Sequence, residues 1–297
     1  MLAIVIPYYK IAFFDQTLLS LANQTDKRFK VYIGDDASPD DPSELLSRFE
    51  DRVPFYYHRF ATNKGGSSLV EQWNRCVGLT AGEEWIMILG DDDMLSENVV
   101  ANWYRDFEAF EGKSNVVRFA SQLIYEQNKT FSKVFTHPVW EKASDACYRK
   151  MKGKTRSSLS EYIFTKEVYT KYGFYNYPLA WYSDDRAWVE FTEEKAIYAI
   201  NDSVVLVRIS EENISGQTNN KAEKTEAWNQ YAKGFLLKNL WRFKKQQRFR
   251  LLLEYEMAAK EKGKMTKAEW FSLIALYIKE MRFLPFVKVI RRFVLDL

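Results

Sequence analysis

The stretch "EWIMILGDDDMLSENVV", residues 84–100, decides the fold. Five consecutive apolar residues, Trp85 to Leu89, run into Gly90 and then three adjacent aspartates. A short apolar run closed by a glycine reads as a strand buried on both faces. Three like charges side by side are costly where water is limited, unless a cation or hydrogen-bond donors compensate them. Ser96 reads as the N-cap of the helix that follows, so the aspartates stand upstream of the position that needs a cap. Acidic loops are often simply solvated, but one at the end of a buried strand is read here as a site.

Outward from that stretch, apolar runs alternate with helical patterns. "LAIVIP", "FKVYIGDD", "VPFYYHRF" and "SNVVRFA" read as further strands. "DQTLLSLANQ" reads as a helix with Leu18, Leu19 and Ala22 on one face, and "PSELLSRFE" as a helix with Pro42 near its start. "GGSSLVEQWNRCVGLT" is helical after a glycine pair. Alternation at this spacing implies an α/β fold with a mostly parallel central sheet and helices on both faces. Ligands of such sheets sit outside the carboxyl ends of the strands. Both Gly34–Asp36 and Gly90–Asp93 fall at such ends.

From about 121 the pattern loosens. "LIYEQNKTFSKVF" reads as a hairpin, "SSLSEYIF" as a strand entering the helix "KEVYTKYG", and "WYSDDRAWVEF" as a loop entering a helix. "AIYAI" and "VVLVRI" read as two short strands, and "GQTNN" as a linker to further helices. The expected division is a domain over 1–215, with a nucleotide-binding half (1–120) and an acceptor and base half (121–215). A basic amphipathic helical region over 216–297 would follow.

Composition sets outer bounds. A hydrophobic share of 46% with 28% charged residues excludes a disordered chain. Two cysteines, Cys76 and Cys147, give neither a disulfide framework nor a metal spacing, so they read as small buried hydrophobes. No apolar run approaches the roughly 20 residues needed to cross a bilayer, and "MLAIVIP" is a strand, not a signal segment. The expected place is the cytoplasm, peripherally at the inner face of the cell membrane if the tail attaches there. The net charge of +3 hides a split: residues 221–297 carry 18 Lys and Arg against 8 Asp and Glu, leaving −7 on residues 1–220. Such asymmetry points to two parts with different partners.

Carboxylate ligands select hard divalent cations, Mg²⁺ or Mn²⁺, which keep waters and bridge substrate phosphates. No Gly-rich phosphate loop of the Walker or dinucleotide type occurs, so phosphates would be held through the metal.

"IVIPYYK", "VYIGDDASPDD", "NKGGSSLVEQWN", "EWIMILGDDDML" and "WYSDDRAW" stand in the order and spacing of the family-2 inverting glycosyltransferases, which the chain resembles over roughly residues 1–210. Those enzymes have a GT-A fold and use nucleotide-sugar donors, and the resemblance is nearest to bacterial enzymes of capsule, O-antigen or exopolysaccharide synthesis. It implies that Pro7, Tyr8 and Tyr9 line the nucleoside pocket, with Lys10 nearby. It implies that Asp36 accepts from the base, matching a uracil N–H of a UDP-sugar, and that Asp35 supports it. Asn63 and Lys64 would belong to a nucleotide-contacting loop.

Asp91, Asp92 and Asp93 match the family's DxD region, with Gly90 where the first acid often stands. Asp92 is the expected metal ligand, Asp91 would face the ribose or pyrophosphate, and Asp93 is the second candidate ligand. Inversion needs a base for the acceptor hydroxyl, and the motif's register makes that Asp184 with Asp185 as neighbour, or the reverse. Arg208 sits where relatives often carry a basic residue, a candidate diphosphate contact. Each has a plainer reading: core packing for Tyr8 and Tyr9, an Asx-type turn for "DDASPDD", a solvated side chain for Lys64, and a helix cap at Ser183 or Asp184. Trp181 and Tyr182 would stack on a sugar.

The basic tail reads either as amphipathic helices packing on the domain or as an anionic-membrane attachment. Nothing in it resembles a nucleic-acid-reading motif. The expected function is a metal-dependent transferase moving a sugar to a glycan or glycolipid acceptor. A sugar-phosphate nucleotidyltransferase and a non-catalytic membrane-bound scaffold are the competing readings.

Overall fold

β1 (Leu2–Tyr8) leads through α1 (Phe14–Ala22) to β2 (Phe29–Asp35) in the computed structural model. It describes residues 1–297 except 212, 218, 262–264, 281, 282 and 297, and all their side chains except those of 261, 283–285 and 296. Then follow α2 (Ser43–Ser47), β3 (Phe55–Arg59), α3 (Leu69–Val77) and β4 (Trp85–Ile88). These four strands are parallel in the order β3-β2-β1-β4. Because β1 and β4 are central and covered, they are buried as unbroken apolar runs with no polar alternation. Register levels the strand ends: Pro7 lies opposite Gly34, Tyr8 opposite Asp35, and Val5 opposite Ile88. The acidic tips of β2 and β4 therefore flank the tip of β1.

The second half runs β5 (Met94–Leu95), α4 (Val99–Arg105), α5 (Phe107–Phe110), β6 (Val116–Tyr125), β7 (Thr130–Phe131) and β8 (Trp140–Lys142). It continues through α6 (Ala143–Met151), β9 (Tyr162–Thr165), α7 (Lys166–Tyr172), α8 (Ser183–Phe191) and β10 (Ala196–Ile209). β9 inserts antiparallel between β4 and β6, so the sheet is mixed beyond its parallel half. β10 is parallel to β6 and pairs antiparallel with β5, which carries the chain onward from the three aspartates.

Three local expectations change. "AIYAI" and "VVLVRI" are one strand, continuous through a bulge between Ile200 and Val204. Ser96 does not cap a helix: α4 starts at Val99 behind Asn98, and Ser96 instead exchanges hydrogen bonds with the backbone of Val204 at that bulge. On α1 the buried stripe is Phe14, Thr17, Leu18 and Leu21, while Leu19 is 44% exposed. The helical step of about 100° places Leu18 and Leu21, not Leu18 and Leu19, on one face.

The chain divides into two compact units, Met1–Ala227 and Trp228–Leu297, later than the expected boundary at 215. The reason lies within the first unit, where Lys224 of α9 (Lys221–Tyr231) donates to the carbonyls of Ile214 and Gln217 and covers the Trp181 ring. The second unit contains α10 (Lys245–Glu261), α11 (Lys267–Lys279) and α12 (Phe283–Asp296). Its interior holds Leu251, Leu252, Trp270, Leu273, Tyr277 and Val289, and the buried Glu256 takes a two-point contact from Arg292. A capping box between Thr266 and Glu269 starts α11.

Candidate active site

A cavity of about 450 Å³ opens at the carboxyl ends of β1, β2 and β4, lined by Pro7, Tyr8, Tyr9, Asp36, Asn63 and all three aspartates of residues 91–93. Ser160, Arg208 and Asn213 close it from the second half of the domain.

The three aspartates take different jobs because different donors meet them. Asp91 Oδ2 accepts the backbone N–H groups of Tyr9 and Lys10, at 2.8 and 2.9 Å, which ties the β1 tip to the acidic loop. Asp93 is turned inward. Its Oδ1 accepts the Arg208 N–H at 2.9 Å and its Oδ2 the Ser160 hydroxyl at 2.5 Å, so it fastens the loop to β10 and to the turn before β9. That makes Asp93, expected as a second metal ligand, a strut in this structure.

The one side chain that hydrogen-bonds the Asp92 carboxylate among the described residues is Asn213, whose amide donates to Oδ2 at 3.1 Å, away from Oδ1. Burial, and then the charge of Asp92 between them, pushes the Asp91 and Asp93 carboxyls up to about 7. Burial also raises Asp92, against the pull of Asn213, Arg208 and Lys10. Gly90 explains itself here: a β-carbon would lie 3.1 Å from Asp92 Oδ1 and 3.0 Å from Asp93 Oδ2, crowding the carboxylates.

Arg208 lines the cavity but is committed. Its guanidinium donates to the Asp92 carbonyl at 3.0 Å and to Gln16 at 2.7 Å, pairs with Glu126, and covers the Phe13 ring. At the position expected to contact a diphosphate, Arg208 thus also braces the acidic loop from beneath.

At the β2 tip, Asp35 is fully buried and accepts from Tyr57, Arg59 and the Ser38 N–H. It holds its own turn, where Ala37 has a left-handed φ of 54°. Asp36 accepts the N–H groups of Lys64 and Gly65, at 2.6 and 2.7 Å, and pairs with Arg75. A carboxylate offers about four lone-pair positions, so one remains for a ligand donor. Asn63 accepts the Gly66 N–H and shapes the same loop, whereas the Lys64 ammonium turns to Glu71 at 3.2 Å. Lys64 is not in the cavity lining and contributes its backbone N–H to Asp36, which is. Tyr8 is core, its ring tilted against Phe14 and its hydroxyl donating to the Asp40 carbonyl, and burial pushes it up to about 12. Tyr9 is 36% exposed and offers its ring to the opening.

Asp184 and Asp185 begin α8. Neither they nor Ser183 cap it, since the N-cap is Tyr182, in left-handed conformation and without a side-chain cap bond. Leu179 and Ala180 are left-handed too, which concentrates backbone strain directly before the acidic pair. Asp185 is buried against Lys150 at 2.5 Å. Asp184 is half-buried, and burial followed by the Asp185 charge raises it to about 7 although Lys150 opposes the shift. The pair is not in the cavity lining. Connection runs through residues 158–162: Ser158, Leu159 and Ser160 line the cavity, Glu161 holds Arg118 and Arg156, and Tyr162 stacks on Trp188 of α8. Trp188 is therefore core.

Sequence reasoning missed Ser160, Arg75, Gln16, Glu126 and Asn213, all polar residues whose partners are remote in sequence. Asn213 sits in a turn whose other residues, Ser210, Gly216 and Gln217, line a more open depression of about 540 Å³ with Tyr125, Gln127 and Asn128. Gly216 is required there because a β-carbon would collide with the Ser210 carbonyl. Among the described residues no group of three or more His, Cys, Asp or Glu is arranged to hold a metal.

The family model described as glycosyl transferase family 2 matches residues 3–163, a span that contains the β2 and β4 tips but not Asp184, Asp185 or Arg208. Among solved structures, the chain resembles Staphylococcus aureus TarS 1–349 in complex with UDP-GlcNAc at a TM-score of 0.65 and 14% identity, covering 93% of this chain and 79% of that one. The same TarS fragment in complex with UDP matches at 0.60 and 14%, covering 94% and 80%. A longer TarS structure matches at 0.62 and 14%, covering 96% of this chain and 50% of that one. No curated protein matches the chain significantly.

Proposed function

We propose that this chain, which belongs to glycosyl transferase family 2 and has the GT-A fold, uses a UDP-sugar and a divalent cation to glycosylate a glycan or glycolipid acceptor with inversion. The observation that carries the reading is the convergence of Asp36, Tyr9, Asp91 and Asp92 on one cavity of about 450 Å³. That volume lies within the range of about 300–1,000 Å³ expected of small-ligand sites. Family membership sets aside the nucleotidyltransferase reading.

The cation fits the donor set. Asp91 and Asp92 supply acceptor oxygens, both raised by burial and Asp91 also by the Asp92 charge, which is the strain a positive ion relieves. Mn²⁺ or Mg²⁺ bound at Asp92 would supply stabilisation of the charge left on the departing nucleoside diphosphate. The chain's own part is to position. Asp36 and its loop hold the base, with one lone pair for a uracil N–H, and Tyr9 offers a ring at the opening. Asp184 takes the acceptor hydroxyl's proton while the new bond to the anomeric carbon forms and the bond to the diphosphate oxygen breaks on the opposite face. Its carboxyl near 7 suits a base at neutral pH. The amide-rich depression beside Asn213 suits a hydroxyl-rich acceptor of the kind assembled into capsule, O-antigen or exopolysaccharide.

The test is a panel of UDP-, GDP- and dTDP-sugars screened for thermal stabilisation with and without Mn²⁺, and for nucleoside diphosphate release. A UDP-sugar shift that needs metal and vanishes in Asp92→Ala is expected. A panel with no metal-dependent shift overturns the reading, and binding with no turnover on any acceptor leaves the non-catalytic scaffold.

A further inference from the structure

α11 is apolar on two faces. Trp270, Leu273 and Tyr277 fill the interior of the second unit, as an amphipathic helix requires. Its outer face carries Ala268, Phe271, Ala275 and Ile278, all exposed, where polar residues are expected. Phe271 is 63% exposed and Ile278 51%. Lys267 and Lys279 stand at the two ends of this stripe.

α12 continues the surface. Phe293 brings its ring within 6.0 Å of Phe271, and among the described side chains the exposed positions of α12 are Val287, Lys288, Arg291, Val294 and Leu295, with Leu295 75% exposed. At a helical step of about 100° these five fall in one continuous stripe. Large apolar side chains exposed on two adjoining helices mark an interaction surface.

Charge selects the partner. Residues 228–297 carry 16 Lys and Arg against six Asp and Glu. Among the described side chains, Glu269 is committed to Lys233, Glu280 to Arg248 and Glu256 to Arg292. Lys267, Lys279, Lys288 and Arg291 have no acidic partner among the described residues. An apolar centre with cations at its rim matches a bilayer surface, whose acyl boundary takes the ring and aliphatic groups while its phosphates meet the cations. No helix among the described residues is long and apolar enough to cross a membrane, so the contact is with the surface. Self-association through this face would bring two strongly positive patches together, which like-charge repulsion opposes.

We propose that the outer face of α11 and α12 docks the protein on an anionic lipid surface, with Phe271, Ile278, Val294 and Leu295 inserted and the four cations at the headgroups. The experiment is co-sedimentation of the full chain with phosphatidylcholine vesicles containing or lacking phosphatidylglycerol. Partitioning onto the anionic vesicles is expected to be at least about tenfold stronger, and to weaken at about 0.5 M salt. Phe271→Ser with Ile278→Ser, and separately Lys267→Glu with Lys279→Glu, should each lower it roughly tenfold. Both pairs are exposed, so an unchanged unfolding midpoint certifies the fold, and Val294→Ser with Leu295→Ser repeats the test on α12. Equal partitioning onto both vesicle types, wild-type partitioning by all variants, or a solution dimer abolished by the Phe271 and Ile278 variant overturns the proposal. UDP-sugar stabilisation is read separately, so failure here is distinct from failure of the proposed activity.

Discussion

Asn213 donates its amide to the Asp92 carboxylate at 3.1 Å, although the two residues stand 121 positions apart. The same amide donates to the Arg208 carbonyl at 2.6 Å, and its oxygen accepts the Gly216 N–H at 2.9 Å. The turn after β10 is thereby fixed to an aspartate that keeps its Oδ1 open, as Asp91 also does among the described residues. A hydrogen bond to a charged group contributes about 1.5–3 kcal/mol. Asn213→Ala should therefore raise the Mn²⁺ concentration needed for half-maximal activity by at least about tenfold. Asn213→Asp, which puts a second negative charge beside Asp92, should instead lower it at neutral pH, because the cation relieves the added repulsion. Metal titration of donor binding measures both, and an unchanged requirement in Asn213→Ala would remove the coupling.

Asp184 must be ionised to accept a proton, and its carboxyl is raised to about 7 by burial and by Asp185. Transfer should rise with pH through about 7 and then level. Asp184→Asn should retain UDP-sugar binding and lose at least about a hundredfold in turnover. Lys150 opposes the shift, so Lys150→Met should move the acid limb of the kcat/KM profile to higher pH. A profile flat from pH 5 to 9, or full turnover in Asp184→Asn, places the base elsewhere.

The raised Asp91 and Asp93 carboxyls carry a stability consequence. Each sits at about 7 when folded, against an ordinary value near 3.8, so the folded state holds protons that the unfolded chain has released. This contribution is complete below about pH 4 and is lost as pH rises through 7. The metal-free protein should melt at a lower temperature at pH 8 than at pH 5, and Mn²⁺ at pH 8 should restore it. Asp92→Asn removes a charge that raises both neighbours and should flatten the dependence. Scanning calorimetry across that range decides the matter.

Glu161 is fully buried and bridges Arg118, itself 1% exposed, to Arg156. Burial alone would raise its carboxyl, but Arg156 and Arg118 outweigh this and hold it low. Glu161→Gln leaves Arg118 buried with its charge uncompensated, a loss of about 3–5 kcal/mol. The double change Arg118→Met with Glu161→Leu should cost less than the single one. Denaturant unfolding of the two variants tests this, and a milder single change would contradict the pairing. Ser160, which holds Asp93, is adjacent in sequence, so donor affinity should fall with stability in Glu161→Gln.

Much of this molecule was written locally. The parallel half of the sheet was legible because burial on both faces leaves apolar runs such as Ala3–Ile6 and Trp85–Leu89, which need no knowledge of their neighbours. The acidic strand tips were legible for a similar reason: charge abutting such a run marks the place where the strand leaves the core. Register in the sheet then levelled Tyr8, Asp35 and the acidic loop, and one cavity followed.

What the sequence did not determine is which oxygen of which aspartate stays open. Asp91, Asp92 and Asp93 are chemically identical and adjacent. They differ only in the donors that reach them, backbone at Tyr9 and Lys10 for the first, an amide at residue 213 for the second, a hydroxyl at 160 and the β10 backbone for the third. The same holds for Ser96, which reads as a cap until the β10 bulge arrives to claim it. Burial periodicity is a property of one segment and survives in its letters. A hydrogen bond between segments depends on packing that brings remote chain together, and no letter near Asp92 records that Asn213 will be there.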